Sequence, residues 1–458
     1  MKDNRRTFIK KAALGTTGIA LGGSSVMGMS AKSYGAISGA NDRINMAVIG
    51  VRGKGFDHLK EWAAMSKTHK VFIKTICDVD ENLFDERVQA VTQIQGEKPG
   101  TEWDMRKVFE DQEIDAVTIA TPNHWHALAT IWAVQAGKDV YVEKPCCHNV
   151  WEGRQMIEAA KKYHRIVQVG TQNRSSTSVK QAMKALHDGV IGDVYMAKGL
   201  CYKARDSFGR AENTEPPEGV HYDMWLGPAK WRPYNEKRFH YNWHWHWDTG
   251  NGDIGNQGPH QFDIARWGMK KDQHPVKVQS SGGYFKFTDC SQETANTQTA
   301  VYEYADGKIL QFEVRGLYTN AEAGVEVKIG NLFYGTDGWM EINGSTWRTF
   351  TGRKGEPGPS SDHPEVEEAS GYLAAPASGG HYANFLKAIR SGNPADLNCD
   401  IYEGFLSSSL PLLANISYRL GGESLEFDPI TEKFVNNQGA NDMLTREYRE
   451  PYVVPEKV

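Results

Sequence analysis

The stretch that decides the fold is Ile44-Asn45-Met46-Ala47-Val48-Ile49-Gly50-Val51-Arg52-Gly53-Lys54-Gly55. A β-compatible, largely apolar run enters a glycine-rich turn, and the residues behind the turn open a helix. Asp78 closes the next such run, Lys70 to Cys77. Glycines at 50, 53 and 55 let the backbone pass close to a pyrophosphate, whose charge is met by the amides of a helix start. An acid at the end of the second strand accepts ribose hydroxyls. Arg52 stands where this pattern ordinarily has its second glycine, with Gly53 directly behind it. The acid at 78 would repel a 2′-phosphate, so tightly bound NAD is expected in preference to NADP.

Working outward, short β-rich runs alternate with helical stretches, the pattern of βαβ units on a parallel sheet. Further strands are expected over Ala116 to Ala120, Asp139 to Val142 and Ile166 to Val169. Helices are expected over Asn123 to Gln135, with Gly137 placed to end it, and over Val150 to Tyr163. Beyond Gly170 the character changes. Val276 to Phe287, Gln298 to Tyr304, Ile309 to Val314, Val325 to Tyr334 and Trp339 to Ile342 follow one another through turns such as Asp306-Gly307 and Asn343-Gly344. Residues 351–380, rich in Gly, Pro, Ser and Glu, are expected to form an extended surface loop. Helices over Tyr382 to Ile389 and Tyr402 to Leu420 close the chain. The expected fold is an α/β Rossmann domain over 41–169, followed by an α+β domain over 170–458 built on a large, mostly antiparallel open sheet.

Composition narrows the partners. The 458 residues are 40% hydrophobic and 24% charged, with 52 basic and 57 acidic side chains giving a formal charge of -5. That balance disfavours nucleic acid. No apolar run after residue 40 approaches the roughly 20 residues of a membrane span. Six cysteines at 77, 146, 147, 201, 290 and 399 lack a metal-type spacing, so free thiols or at most one bridge are expected. Before residue 41, Asn4-Arg5-Arg6-Thr7-Phe8-Ile9-Lys10 precedes a modest apolar stretch from Ala12 to Leu21. This is the layout of a twin-arginine export signal, which implies a periplasmic or otherwise exported protein that folds before it crosses the membrane.

Two further motifs lie behind the strands, Thr121-Pro122-Asn123-His124-Trp125-His126 and Glu143-Lys144-Pro145. Spaced in this way behind a dinucleotide turn, they resemble the glucose-fructose oxidoreductase, inositol dehydrogenase and rhizopine catabolism (Gfo/Idh/MocA) family. The likeness continues through Val169 to Arg174, Gly252 to Trp267 and His381 to Ile389, and so spans nearly all of the chain after residue 44. The resemblance implies cofactor contacts at Thr121, Pro122, Asn123, His126, Glu143 and Lys144. It also implies substrate contacts at Gln172, Arg174, Asn256 and Asp263. It places Lys144 where nicotinamide and the reacting hydroxyl meet. A residue just past a central parallel strand points into the crevice where such sheets bind ligands, and an ammonium there polarises an alcohol or carbonyl oxygen.

The family's second catalytic motif reads Asp-x-x-x-His, and the corresponding segment here is Asn256-Gln257-Gly258-Pro259-His260. His260 fits the general acid/base, because imidazole takes an alcohol proton near neutrality. Asn256 departs from the pattern, since an amide cannot stabilise imidazolium as a carboxylate does, and Asp248, Asp253 or Asp263 is a candidate to compensate. Residues 221–247 hold nine aromatics, Trp243 and Trp245 among them. Flat rings with polar edges suit sugar faces, and they equally suit a packed core or an interface. His240, His244 and His246 alternate as on a strand, and no metal is expected there.

An exported enzyme cannot draw on a maintained pool of free NAD, so the cofactor must be regenerated in place. Three schemes meet that requirement: paired oxidation and reduction of two sugars or carbonyl compounds; glycoside hydrolysis through transient oxidation, elimination and re-reduction; and oxidation of a glycoside to a 3-keto form for a separate lyase. Oxidation of a sugar or glycoside ring hydroxyl is the first expectation and the hydrolytic scheme the second, with a non-catalytic sugar- and nucleotide-binding protein as the reading of another class. The long β-like segments would expose a broad apolar face, and with the resemblance they imply a homo-oligomer. The export reading has a direct test: with Arg5 and Arg6 both replaced by lysine, the precursor is expected to remain in the cytoplasmic fraction, and continued export would remove the twin-arginine assignment.

Overall fold

The computed structural model describes residues 43–322, 327–343, 346–361 and 380–458. The expected export signal, the start of the Val325 run and most of the expected 351–380 loop lie outside the described residues.

The first half is a six-stranded sheet in which every pair is parallel, in the order β3-β2-β1-β4-β5-β6. Its strands are β1 (Ile44–Ile49), β2 (Val71–Cys77), β3 (Gly100–Glu102), β4 (Ala116–Ile119), β5 (Asp139–Val142) and β6 (Val167–Val169). The central strands β4 and β5 are buried at every residue, as expected where helices cover both faces of a parallel sheet. The helices flanking the site are α1 (Lys54–Ala64), α2 (Phe84–Gln95), α3 (Met105–Glu110), α4 (Asn123–Gln135) and α5 (Val150–Tyr163). Local chemistry sets their ends. Asn149 caps α5 by accepting from the Glu152 amide, and Gly137 leaves α4 in the left-handed region at φ +81°. Trp62 anchors α1 to the sheet, fully buried and donating to Thr118 Oγ1 at 2.8 Å.

The second half opens with α6 (Thr177–His187) and builds a ten-stranded sheet in the order β14-β13-β12-β11-β7-β10-β9-β8-β15-β16. The strands in chain order are β7 (Val194–Cys201), β8 (Lys277–Gly283), β9 (Thr297–Glu303), β10 (Ile309–Arg315), β11 (Ile329–Gly335), β12 (Gly338–Ile342), β13 (Trp347–Thr351), β14 (Glu356–Ser360), β15 (Leu425–Asp428) and β16 (Lys433–Phe434). All its pairings are antiparallel except β7 with β10. Two helices hold the halves together, α8 (Gly380–Ser391) and α9 (Ile401–Arg419), and α7 (Gly258–Gly268) packs between α9 and β7. α8 returns to the first sheet, where Tyr382 stacks on Tyr141 at 5.3 Å and meets Trp62 edge-on at 4.8 Å. α9 lies against β6 at Gly404, where a Cβ would come within 2.3 Å of Val169, and Phe405 fills the space beside Gly153 of α5.

Two expectations are corrected. β7, in the middle of the second sheet, was not foreseen. Part of the expected surface loop is strand, since Glu356–Ser360 pairs with β13 at the sheet edge. An edge position tolerates Pro357 and Pro359, which cannot donate to a ladder on both sides.

Gly50 and Gly55 make the turn after β1. A Cβ at Gly55 would fall 1.7 Å from Gly50 O, whereas one at Gly53 would meet nothing within 4 Å. Gly55→Ala is therefore expected to destabilise the fold by about 1–3 kcal/mol, the range of overpacked sites, while Gly53→Ala leaves the unfolding midpoint unchanged. Thermal denaturation of the two variants checks the contrast.

Candidate functional site

A cavity of about 860 Å³ runs along the carboxyl ends of β1, β4 and β5 and is bounded on its other side by residues from 203 to 260. That is where an open parallel sheet presents ligands. At one end Gly50 takes φ +82°, and a Cβ there would meet the Ala120 and Thr121 backbone at 2.8 Å, so the turn can be this tight only with glycine. Asp78 borders the cavity just past β2. Its carboxylate accepts from Val51 N at 2.7 Å and Asp80 N at 3.0 Å, yet burial pushes its pKa up to about 6. Thr121 Oγ1 and Asn123 Nδ2 are buried without partners at the cavity wall, and Arg52 and Pro122 border it too. Open space over Gly53, an acid behind β2 and unpartnered polar atoms together fit a dinucleotide: Gly50 to Gly55 beside the pyrophosphate, Asp78 at a ribose, and the 121–123 turn further in. His126 ties that turn to the next segment, with Nδ1 2.7 Å from Pro145 O and Nε2 2.8 Å from Thr121 O. Burial lowers its pKa, and a neutral ring donates to one of these carbonyls at a time.

At the other end β5 delivers Glu143 and Lys144. Glu143 accepts from Gln172 Nε2 at 2.9 Å and from the Lys144 amide at 3.2 Å, and His58 Nε2 lies 3.0 Å from its Oε1. Burial alone would raise the carboxyl pKa. The His58 hydrogen bond and the charges of Lys54 and Lys144 outweigh it and hold Glu143 ionised. His58 itself is pushed toward neutrality by burial, so in this pair it is the neutral donor to a carboxylate. Gly170 leaves room for the group, since a Cβ there would sit 2.8 Å from Oε1. Lys144 Nζ donates to Asn256 O at 2.7 Å, and burial lowers its pKa. His260, on α7, borders the same end, and burial with the nearby Lys144 charge brings its pKa down to about 3. A neutral imidazole thus faces the end of the cavity that holds the lysine.

The wall opposite the sheet comes from the aromatic segment. Glu218 to His221 straps onto the loop after β2 through Glu81 N to Gly219 O at 2.9 Å, His221 N to Val79 O at 2.8 Å and Asn82 Nδ2 to Glu218 O at 2.9 Å. His221 also stacks on Trp103 with ring centroids 3.9 Å apart. This strap braces Val79 and Trp103, which border the Asp78 end of the cavity, from behind. Further on, Trp243 stacks on His244, and both line the cavity with Tyr241.

Several expected site residues lie elsewhere. Arg174 and Asp263 form a sequestered ion pair at 2.8 Å, with Arg174 also on Glu403 and Asp263 accepting from Ser407, so neither reaches the cavity. Trp245 is buried beneath the Arg205 guanidinium, 4.6 Å from the ring centre, and also lies off the cavity. Gly55 supports the turn from behind. Asp248 and Asp253, the other candidates to compensate for Asn256, are held by Arg232 and Arg205. The carboxylate that acts on His260 is Glu143. His58, Lys54, Lys203 and His244 were not foreseen. A signal for His58 exists in its spacing, one turn behind Lys54 on the helix that opens at the glycine turn. Residues 240–245 form a 3₁₀ turn, which removes the strand-like alternation of their histidines. Among the described residues no cluster of three or more His, Cys, Asp or Glu side chains is placed to hold a metal, no helix is long and apolar enough to cross a membrane, and the six cysteines are buried free thiols.

Residues 44–171 match the oxidoreductase family described by its NAD-binding Rossmann fold, and residues 175–338 and 342–454 match the C-terminal alpha/beta domain of the same family. The chain belongs to this Gfo/Idh/MocA family. A glycosyl hydrolase family 109 protein of Shewanella pealeana is 32% identical over 182 residues, 35% of this chain and 38% of that protein. The alpha-N-acetylgalactosaminidase of Shewanella oneidensis is 32% identical over 173 residues, 35% of this chain and 37% of its own length. The match thus spans well under half of these relatives. The fold is similar to that of the WlbA dehydrogenase of Bordetella pertussis in complex with NADH and UDP-GlcNAcA, with a TM-score of 0.60 and 19% identity over 84% of this chain and 99% of that one.

The raised Asp78 pKa gives the nucleotide site a pH signature. Ribose hydroxyls donate best to the carboxylate, so NAD affinity of the apoprotein is expected to weaken as pH falls through about 6. Asp78→Asn is expected to flatten that dependence and to weaken NAD binding by about tenfold or more, the weight of a charge-assisted hydrogen bond. Calorimetric titration over about pH 5 to 8, on either side of that pKa, checks both.

Proposed function

We propose that this family member is an exported NAD-dependent enzyme that oxidises a ring hydroxyl of a glycoside and uses the oxidation to cleave the glycosidic bond. The observation that carries the reading is the pairing of Lys144 with a neutral His260 at one end of a cavity whose other end holds the glycine turn and Asp78. An exported cofactor that cannot be exchanged with a maintained free pool favours a cycle in which it ends as it began. Similarity to two hydrolase-named relatives supports hydrolysis over net oxidation.

Bound NAD supplies a hydride acceptor that can also return the hydride. The chain's own groups do the rest. Lys144 Nζ, already donating to Asn256 O, has further N–H bonds to polarise the reacting oxygen. His260 takes the hydroxyl proton as the ring carbon is oxidised. The resulting ketone acidifies the C–H beside it; loss of that proton expels the aglycone, and water adds in its place. Trp243 and Tyr241 offer ring faces to the sugar. The second reading ends at the ketone, released to a separate lyase or balanced by a second carbonyl compound or another electron acceptor.

Aryl glycosides given to the protein as purified, without added NAD, separate the readings. Aglycone release beyond one equivalent per bound cofactor, with deuterium from heavy water on the carbon beside the oxidised one, is the expected result. A reduced cofactor and an accumulating keto sugar without aglycone would favour net oxidation; an unchanged nicotinamide spectrum together with no aglycone release from any glycoside would overturn both. Lys144→Ala and His260→Ala are each expected to lower turnover by about 10²–10⁴-fold. With its pKa depressed, His260 is neutral across the ordinary range, so the acid limb of kcat/KM lies below the usual histidine region. Asn256→Asp adds a carboxylate that favours imidazolium, which moves that limb to higher pH.

A further inference from the structure

His58 lies outside the motifs that carry the proposed chemistry, yet it is fully buried against them. It sits on α1, the helix that starts at the glycine turn, and its Nε2 is 3.0 Å from Glu143 Oε1. Tyr141 and Tyr382 hold the imidazole edge-on, with centroids at 5.3 and 5.5 Å, so the ring has no room to swing away. Glu143 in turn is enclosed by Gln172, the Lys144 amide and the bare Cα of Gly170.

We propose that His58 is a positioning residue for Lys144: it holds the Glu143 carboxylate in place beside the lysine and so links the nucleotide-binding helix to the reacting end of the cavity. The assignment rests on the reading of Lys144 given above. Besides His58, Lys54 and Lys144, the titratable groups that face Glu143 are Tyr141, Tyr382, His126, His260 and His381. Lys144 feels Glu143 and Asp253 as favourable charges and Lys54 and Lys203 as unfavourable ones. His58 feels Lys54, Asp57 and Glu143; His260 feels Lys144, Lys54, His381 and Glu143. Glu143 is the carboxylate common to all three, so the group that fixes it controls how long Lys144 keeps its proton as pH rises. Without the His58 donor, burial is less well opposed, Glu143 loses position and charge, and Lys144 loses its proton at lower pH.

The test compares His58→Leu, which removes the donor, with His58→Gln, whose amide reaches Glu143, and His58→Asn, whose amide falls short. Two readouts are taken on the protein with its nucleotide bound: the pH profile of kcat/KM, and the pH dependence of Lys144 acetylation by acetic anhydride, followed by mass spectrometry. In His58→Leu and His58→Asn the alkaline limb and the labelling midpoint are expected to move down together by about one pH unit, the lower end of a close charge-pair effect, and His58→Gln is expected to restore both. Bound NAD stays at one equivalent in all three. A labelling midpoint identical to wild type in folded His58→Asn would overturn the assignment, and if His58→Leu does not fold, the Gln and Asn pair decides alone. Should the glycosidase reading fail, no glycoside turns over, but the labelling midpoint still shifts; should the positioning assignment fail, turnover persists with an unmoved midpoint.

Discussion

A buried carboxylate that must stay ionised fixes the geometry of this site. Glu143 is 5% exposed and sits at the carboxyl end of a central strand, where leaving its charge without donors would cost several kcal/mol. Its hydrogen bonds come from three parts of the chain: α1 through His58, the segment after β6 through Gln172, and its own neighbour through the Lys144 amide. Each of these segments has another duty. α1 begins at the glycine turn, the 172 segment leads into the second sheet, and Lys144 reaches across to Asn256. One acid therefore aligns the nucleotide end, the second half of the chain and Lys144. The space it needs exists because residue 170 has no side chain.

The parallel half of the fold was readable because its signals are local. Continuous apolar strands, a glycine turn and helices with marked ends set α4 and α5 at Asn123–Gln135 and Val150–Tyr163, the ranges their periodicity predicts. The second sheet is harder to read because its central strand has little local preference. β7 reads Val-Tyr-Met-Ala-Lys-Gly-Leu-Cys; its strand state is imposed by β10 and β11, which pair with it on either side from over a hundred residues away. Tertiary pairing overrides weak propensity there. The three residues of β3 and the proline-bearing β14 escape notice for the same reason: each is strand only because a neighbour pairs with it.

At the site, residue type was a better guide to who stands at a strand end than to where a side chain points. Glu143 and Lys144 occupy positions that the strand dictates. Arg174 and Asp263 carry charges that sequence alone leaves free to contact a ligand, but in the fold they neutralise each other beneath it, Asp263 being wholly buried. A motif's charged residues divide in this way between chemistry and the ion pairs that hold the chemistry in place, and only packing tells which is which. Asn256 shows the converse. Its side chain departs from the family pattern, but the contact it gives Lys144 comes from the main-chain oxygen, which asparagine and aspartate supply alike.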